Sequence, residues 1–402
     1  MSQNEFVAFL ATISATTALG IDLVIPAFGD VRQAFGLAPN STQVALTVTV
    51  YFLGLSVAQI FYGPLTDRFG RKPVLLGSLG LYCAGAIAAA AAPGLTWLLL
   101  SRLLWGIGAA GPRVLLMAIA RDVHSGDRLA RVLSMAAAIF MIVPAMAPII
   151  GQTILRLGQW RLVFGAPLLP AVALIVWTSL RLEETLPPEA RRPLTLTRTN
   201  QAIKAVVGDR VALGYSLALM FDFASFASFL ASTELLFDRV YDRSSQFPIF
   251  FGVMSAVMGI TAFTGSRFIP RFGAQRMIRS LFFVTLAAST VLFIVSIAAD
   301  GAPNIWLWFG LLTAANALRS LVNPLAGSEA MQSMGDQAGT AASVMGTISM
   351  GGGAILASVT DRFIRDSVTP LSTAYLLYGI LELGAITWAI RATRQRSASR
   401  AG

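Results

Sequence analysis

Charge is scarce in this chain. Asp, Glu, Lys and Arg make up 12% of its 402 residues, roughly half of what soluble domains carry. Histidine and cysteine each occur once, as His124 and Cys83, and lysine twice, as Lys72 and Lys204. One cysteine excludes a disulfide framework, and Cys83 reads as a small residue packed in a helix. One histidine excludes His-based triads and His-rich metal sites, so His124 reads as a solvated loop residue. Neither lysine follows a glycine, as a phosphate-cradling loop requires. ATP hydrolysis by that route is excluded, and any pumping must draw on an ion gradient. No metal, no cofactor and no enzyme activity are expected.

What is present is apolar: 55% of the residues are hydrophobic. They fall in runs of about 20, long enough to cross ~30 Å of hydrocarbon at 1.5 Å per residue. Most runs lack the polar stripe that a soluble helix shows at helical period. Spans are expected near 5–27, 43–66, 73–93, 95–120, 129–155, 162–180, 211–233, 247–269, 276–298, 303–328, 338–361 and 369–390. The fold class is therefore an all-α membrane protein with twelve transmembrane helices. The N-terminus lacks a basic start, its apolar stretch is long, and it contains Asp22, so it reads as the first span and not as a cleavable signal.

The net charge of +10 suggests a nucleic-acid partner until the charges are placed. With the N-terminus inside, twenty basic residues fall on the inner side of these spans and seven on the outer. That bias predicts both termini in the cytoplasm. Arginine beside anionic headgroups explains the basic balance without nucleic acid. The predominance of arginine over lysine points to a GC-rich bacterial genome, hence to a bacterial inner membrane.

Between spans six and seven runs Glu183-Glu184-Thr185-Leu186-Pro187-Pro188-Glu189-Ala190-Arg191-Arg192-Pro193. Its prolines and charges can neither continue a helix nor stay in a bilayer. The expected organisation is a six-helix bundle over 1–182, a cytoplasmic linker over 183–209 and a second six-helix bundle over 210–402. A weak repeat supports it. GPLTDRFG at 63–70 follows span two, and GSRFIPRFG at 265–273 follows span eight. Two such halves with a solute site between them are a transporter plan.

Other residues carry a resemblance. Gly63-Pro64-Leu65-Thr66-Asp67-Arg68-Phe69-Gly70-Arg71-Lys72 resembles the loop signature of the major facilitator superfamily, in the loop where that family carries it. Gly20 to Pro26 (GIDLVIP), Arg102 to Ala109 (RLLWGIGA) and Arg121-Asp122-Val123 are similar to segments of drug:proton antiporters of the Bcr/CflA type. Pro144, Pro148 and Gly151, within PAMAPIIG, resemble the fifth-helix motif of exporters, with Ala147 and Gln152 where glycine is usual. Trp105 stands where the fourth-helix motif usually has Gln. The resemblance implies two bundles related by a pseudo-two-fold axis and proton-coupled export of small lipophilic compounds, such as phenicol- or bicyclomycin-like antibiotics. It also implies a latch in which Asp67 meets helix eleven and Arg71 meets Asp122, with Gly63, Arg68 and Gly70 shaping the loop. The alternative for these loop charges is a topology signal alone.

Ionisable side chains within a span cost at least about 2.5 kcal/mol each, so they mark candidate sites. Asp22 lies near the outer end of span one and Arg102 near the outer end of span four, at similar depth. Burial and a nearby guanidinium act on a carboxylate in opposite senses and leave it able to titrate. Asp22 is therefore the candidate proton carrier, with Arg102 beside it. The other reading is a static ion pair between the two helices. Arg113 lies eleven residues after Arg102 and so on nearly the same face; it contacts either substrate or an inner-half partner. Asp222, Phe226 and Phe229 share one face of span seven, either as an aromatic wall of the solute site or as packing. With Trp105 they complete the candidate substrate contacts. A pairing of Asp222 with Arg319 looks disfavoured by a depth difference of roughly 12 Å, and Glu382 in span twelve has no evident partner. A monomer with protons and a small solute as its ligands is expected. Uptake of a metabolite by symport is the main alternative and a membrane sensor the lesser one.

Overall fold

The computed structural model describes residues 1–140, 142–191, 196–267, 273–332, 334 and 338–401. Among the described residues, twelve helices are long and apolar enough to cross a membrane. They are α1 (Gln3–Ala34), α2 (Gln43–Phe69), α3 (Arg71–Ala90), α4 (Leu95–Val123), α5 (Gly126–Leu157), α6 (Trp160–Arg181), α7 (Arg210–Arg239), α8 (Ser244–Gly265), α9 (Arg276–Ala298), α10 (Ile305–Met331), α11 (Gly339–Asp361) and α12 (Thr369–Thr393). No strand occurs among the described residues. The protein is an all-helical, multi-pass membrane protein. It divides into two compact units, residues 1–196 with 247–252, and residues 197–246 with 253–402.

Helix α1 starts on a capping box: Ser2 Oγ accepts from the Glu5 amide and Glu5 Oε2 from the Ser2 amide, each at 3.3 Å. The same carboxylate takes Arg181 Nε at 2.9 Å and Trp177 Nε1 at 3.3 Å, tying the start of α1 to the end of α6. The α-helical part ends at Asp22, and a 3-10 turn over Ile25–Ala27 follows. Pro26 is the cause. It has no N–H for the carbonyl four residues back, which is that of Asp22.

Helix α4 is the centre of the first unit. Gly106 faces Tyr51 of α2, Gly54 of α2 faces Leu103, Gly85 of α3 faces Trp105, and Gly108 faces Tyr82 of α3. A methyl group at Gly106 would overlap the Tyr51 carbonyl oxygen, and one at Gly108 the Tyr82 amide. Small residues let these backbones touch where lipid offers no hydrophobic drive for association. In α5, Pro148 and Gly151 are buried, and a methyl at Gly151 would overlap the Leu23 carbonyl exposed by the break in α1.

The ten-residue signature is not a loop of that length. α2 continues to Phe69 and α3 begins at Arg71, so Gly70 alone makes the turn, at φ 99°. Gly63 lies inside α2 with open space beside it and shapes no turn. The repeat partner of Gly70 behaves alike: Gly273 precedes α9 at φ 78°. Residues 268–272 of the second copy lie outside the described set. The first amides of α3 are capped from a distance. Glu184, beyond α6, accepts from the Arg71 amide at 2.8 Å and the Lys72 amide at 3.2 Å, a negative charge at a helix N-terminus. Replacing Glu184 by Ala is expected to cost about 1 kcal/mol, read as a lowered melting temperature of the detergent-solubilised protein.

In the second unit, Asp209 caps α7 by accepting from the Val211 and Ala212 amides at 2.8 and 3.2 Å. The triple glycine of α11 does two things. Residues Thr347–Gly352 form a π-helical turn, and Gly353 lets α11 approach the backbone of α7 at Met220.

Candidate functional site

Three polar groupings stand out against this apolar frame, two in the first unit and one in the second. The first surrounds the break in α1. Arg102 on α4 is fully buried. Its Nη1 donates to the Gly20 carbonyl at 2.6 Å and its Nε to the Thr47 carbonyl at 3.2 Å. The guanidinium lies 4.4 Å from the Tyr51 ring centroid and 4.8 Å from that of Trp105, close enough for cation–π attraction. Tyr51 Oη donates to the Thr17 carbonyl at 3.2 Å and Tyr82 Oη to the Thr16 carbonyl at 2.7 Å. Gly20 is required here, because a methyl would meet both tyrosine hydroxyls and Trp105 Nε1 within 3.3 Å. These hydroxyls and the positive charge of Arg102 come from α2, α3 and α4 onto the last turns of the α-helical part of α1, the end that favours a cation.

Asp22 ends this helical segment. It is 7% exposed, and among the described residues it has no hydrogen-bond or ion-pair partner. The static Asp22–Arg102 ion pair that the sequence left open is therefore not formed. Arg102 directs Nη1 and Nε to the backbone carbonyls of Gly20 and Thr47 instead. Arg113, on the same helix face as Arg102, is exposed while Arg102 is sealed. Trp105 is fully buried, edge-on to both tyrosines. It is a wall of the cluster.

The second grouping lies where α2 meets α3. Arg71 Nη1 bonds Asp67 Oδ1 at 2.7 Å and Thr66 Oγ1 at 2.8 Å, and Nε bonds Asp122 Oδ2 at 2.9 Å. Thr185 Oγ1 donates to the same Asp122 oxygen at 3.0 Å, and Lys72 Nζ to the Ser179 carbonyl at 2.9 Å. Arg71 is thus the hub joining α2, α3, α4 and the chain after α6, while Arg68 is exposed. Sequence reasoning found Arg71, Asp67 and Asp122 and missed Glu184. A Glu shortly after a span is a common feature, and nothing local marks its distant amides.

The third grouping is in the second unit. Arg319 on α10 is buried, and its Nη1 donates to Asp222 Oδ1 of α7 at 3.0 Å and to Glu382 Oε2 of α12 at 3.1 Å. Asn323 Nδ2 donates to Asp222 Oδ2 at 2.6 Å. Tyr375 lies under the guanidinium, 5.4 Å from centroid to Cζ, and its hydroxyl donates to Asn316 Oδ1 at 3.0 Å. The depth difference expected between Asp222 and Arg319 is wrong. Asp222 lies twelve residues from the start of α7 and Arg319 twelve from the end of α10. In antiparallel helices those ends share a side, so the two groups are level. The Asp222 face of α7 accordingly points into the bundle. Phe229 is fully buried, and Phe226 is half-buried with its ring 6.3 Å from that of Phe229. Asp222 and Phe229 are packed, and only Phe226 keeps a partly open face.

These geometries sit in a chain whose likeness to known proteins runs nearly end to end. It is 27% identical over 367 residues to a bicyclomycin resistance protein homolog of Haemophilus influenzae, covering 91% of each chain. It is 25% identical over 394 residues to multidrug resistance protein D of Escherichia coli K12, covering 96% of this chain and 95% of the other. The crystal structure of a D-xylose-proton symporter superposes with a TM-score of 0.75 over 96% of this chain and 97% of that one, at 14% identity, a likeness of fold alone. Residues 9–357 match the sequence pattern of the Major Facilitator Superfamily, and with twelve helices able to cross a membrane the chain belongs to that family of transporters.

Proposed function

We propose that this protein is a proton-coupled antiporter of the bacterial inner membrane, with both termini in the cytoplasm, that exports small lipophilic compounds of the bicyclomycin or phenicol kind. The observation that carries the reading is Asp22. A carboxyl group buried in a membrane bundle without a partner among the described residues is a position that selection for stability alone removes, because its insertion costs at least about 2.5 kcal/mol. A proton relieves that cost, and a proton can be exchanged. Likeness to relatives named for bicyclomycin and multidrug resistance supports drugs as the cargo, and the inward bias of basic residues supports the orientation. Arg102 in this reading holds the frayed end of α1 so that Asp22 stays at a defined depth. Arg113, the exposed member of the set in the first unit, and Phe226, the half-open member in the second, are each proposed as a substrate contact of its own unit.

The test is a susceptibility panel in an efflux-deficient host with bicyclomycin and chloramphenicol, with and without a protonophore. Protection that disappears with the gradient is the expected result. Heightened sensitivity on expression would favour uptake instead, and no change in any arm would remove transport of these compounds.

The Arg71 hub serves, in this proposal, as a clasp that must close and open once per cycle. Changing Asp67 to Lys puts a cation where Arg71 now finds a carboxylate 2.7 Å away. The expected result is membrane protein at the wild-type level with protection lost. Measured by membrane-fraction immunoblot beside the susceptibility panel, full protection in D67K would leave these charges as topology signals only.

A further inference from the structure

The second unit holds one buried cation between two buried acids. The side chains of Arg319, Asp222 and Glu382 keep 4%, 4% and 1% of their exposure. With all three ionised the group carries a net charge of −1, sealed from water and counter-ions. An unbalanced charge in such surroundings is strongly disfavoured, and a carboxyl group neutralises instead. The group thus requires one proton more than its ion pairs supply.

Hydrogen bonding says which acid holds it. Both oxygens of Asp222 have donors, from Arg319 and Asn323. Among the described residues Glu382 has one, at Oε2, and its buried Oε1 has no partner. An anionic oxygen without a donor is costlier than the neutral hydroxyl of a carboxylic acid in the same place. We propose that Glu382 is a proton-binding site within the second unit, neutral in this conformation while Asp222 balances Arg319.

The ionisable groups around it are few. Asp222 comes from α7 and Arg319 from α10. Tyr375 and Tyr378 lie on α12 itself. α11 contributes Asp361, whose neighbour Thr360 shares a hydrogen bond with Tyr378 at 2.7 Å. α9 has Arg276 and Arg279 only in its first turns, and farther along the buried, uncharged Thr285 and Ser289. Arg319 also retains two unused donors, Nε and Nη2. Turning one of them onto Glu382 Oε1 would satisfy the anion. In a conformation that admits water, which also screens the added negative charge, the O–H bond breaks, its electron pair stays on the carboxylate, and the proton leaves to that water as hydronium; the reverse takes one up. A role as a second proton carrier beside Asp22 rests on the export reading, whereas the protonation itself does not.

The test is infrared absorption of the purified full chain at neutral pH with no substrate, so it stands or falls separately from the export assay. A protonated-carboxyl band is expected in the wild type and should be lost in E382Q. Because either acid of the pair could give up its proton when the other is neutralised, isotopes assign it. The band should shift when glutamate side chains carry a 13C carboxyl carbon and stay put when aspartate side chains do. Any band from Asp22 or Asp361 follows the aspartate label and survives in E382Q. If E382Q does not fold, Glu382→Asp in labelled protein serves, moving the band from the glutamate set to the aspartate set. A glutamate-labelled band absent from wild type, or a lost band that follows the aspartate label, overturns the proposal.

Discussion

Cells carrying Asp22→Asn should be as sensitive to exported drug as cells with no transporter at all, while the variant protein remains as stable as the wild type or gains slightly. The two halves of this expectation come from the same geometry. Asp22 ends the helical part of α1, buried, and the guanidinium nearest in the cluster is committed to the Gly20 and Thr47 carbonyls. Asparagine has the same shape and breaks no bond that the structure contains. It also removes the need to neutralise a carboxylate in an apolar interior, a cost of at least about 2.5 kcal/mol on insertion scales. What it cannot do is bind and release a proton. A structural acid would behave in the opposite way, since removing one member of a buried ion pair destabilises by about 3–5 kcal/mol. Melting temperature and drug susceptibility, measured on the same variant, therefore separate the roles. Undiminished, gradient-dependent protection in D22N would end the coupling role assigned to this residue.

The second large effect is expected at Gly106. A methyl there overlaps the Tyr51 carbonyl oxygen and stands 3.1 Å from the Leu55 amide. These are backbone atoms, which no rotamer change can move aside. Gly106→Ala must push α2 from α4, disturbing the ring of Tyr51, Trp105 and Arg102 as it does so. Overpacking typically costs about 1–3 kcal/mol, here along a seam that close packing and not a hydrophobic drive holds together. The expected outcome is a markedly lower melting temperature in detergent and a loss of the single elution peak. Gly63→Ala is the matched control. It lies in the same kind of helix but with nothing within 4 Å, so it should be neutral or gain up to about 1 kcal/mol from helix propensity. Equal behaviour of the two variants would mean that the α2–α4 seam is not a tight one.

These cases show what could be read in advance. Spans were legible because hydrocarbon thickness sets a length and lipid forbids charge, both of which are one-dimensional properties. Arg71 and Asp122 were legible through a resemblance that already carried their pairing. Gly63 was misread as a turn former because glycine serves two ends, tight turning and close packing, and a string of letters does not distinguish them; here it serves neither. Asp222 and Arg319 were separated on paper by counting depth along two helices running in opposite directions. Glu382 went without a partner for the reason that Glu184 was overlooked: the groups they meet lie 63 and 112–113 residues away, and no local pattern encodes such a meeting. Asp22 was found by its cost. Its isolation was not, since that depends on Arg102 reaching the Gly20 and Thr47 carbonyls instead, the second of them on another helix.

The π-helical turn at Thr347–Gly352 gives α11 a freedom that α4 lacks. Such a turn contains one residue more than an α-helix needs for the same winding. If that surplus migrates along the helix, each amide it passes trades one carbonyl for its neighbour and no hydrogen bond is finally lost. Each residue it passes meanwhile swivels by about 100° and travels ~1.5 Å along the axis. The stretch from Gly353 to Asp361 can thereby be screwed around in discrete steps, carrying its buried acid to a new bearing, without the helix ever being unwound.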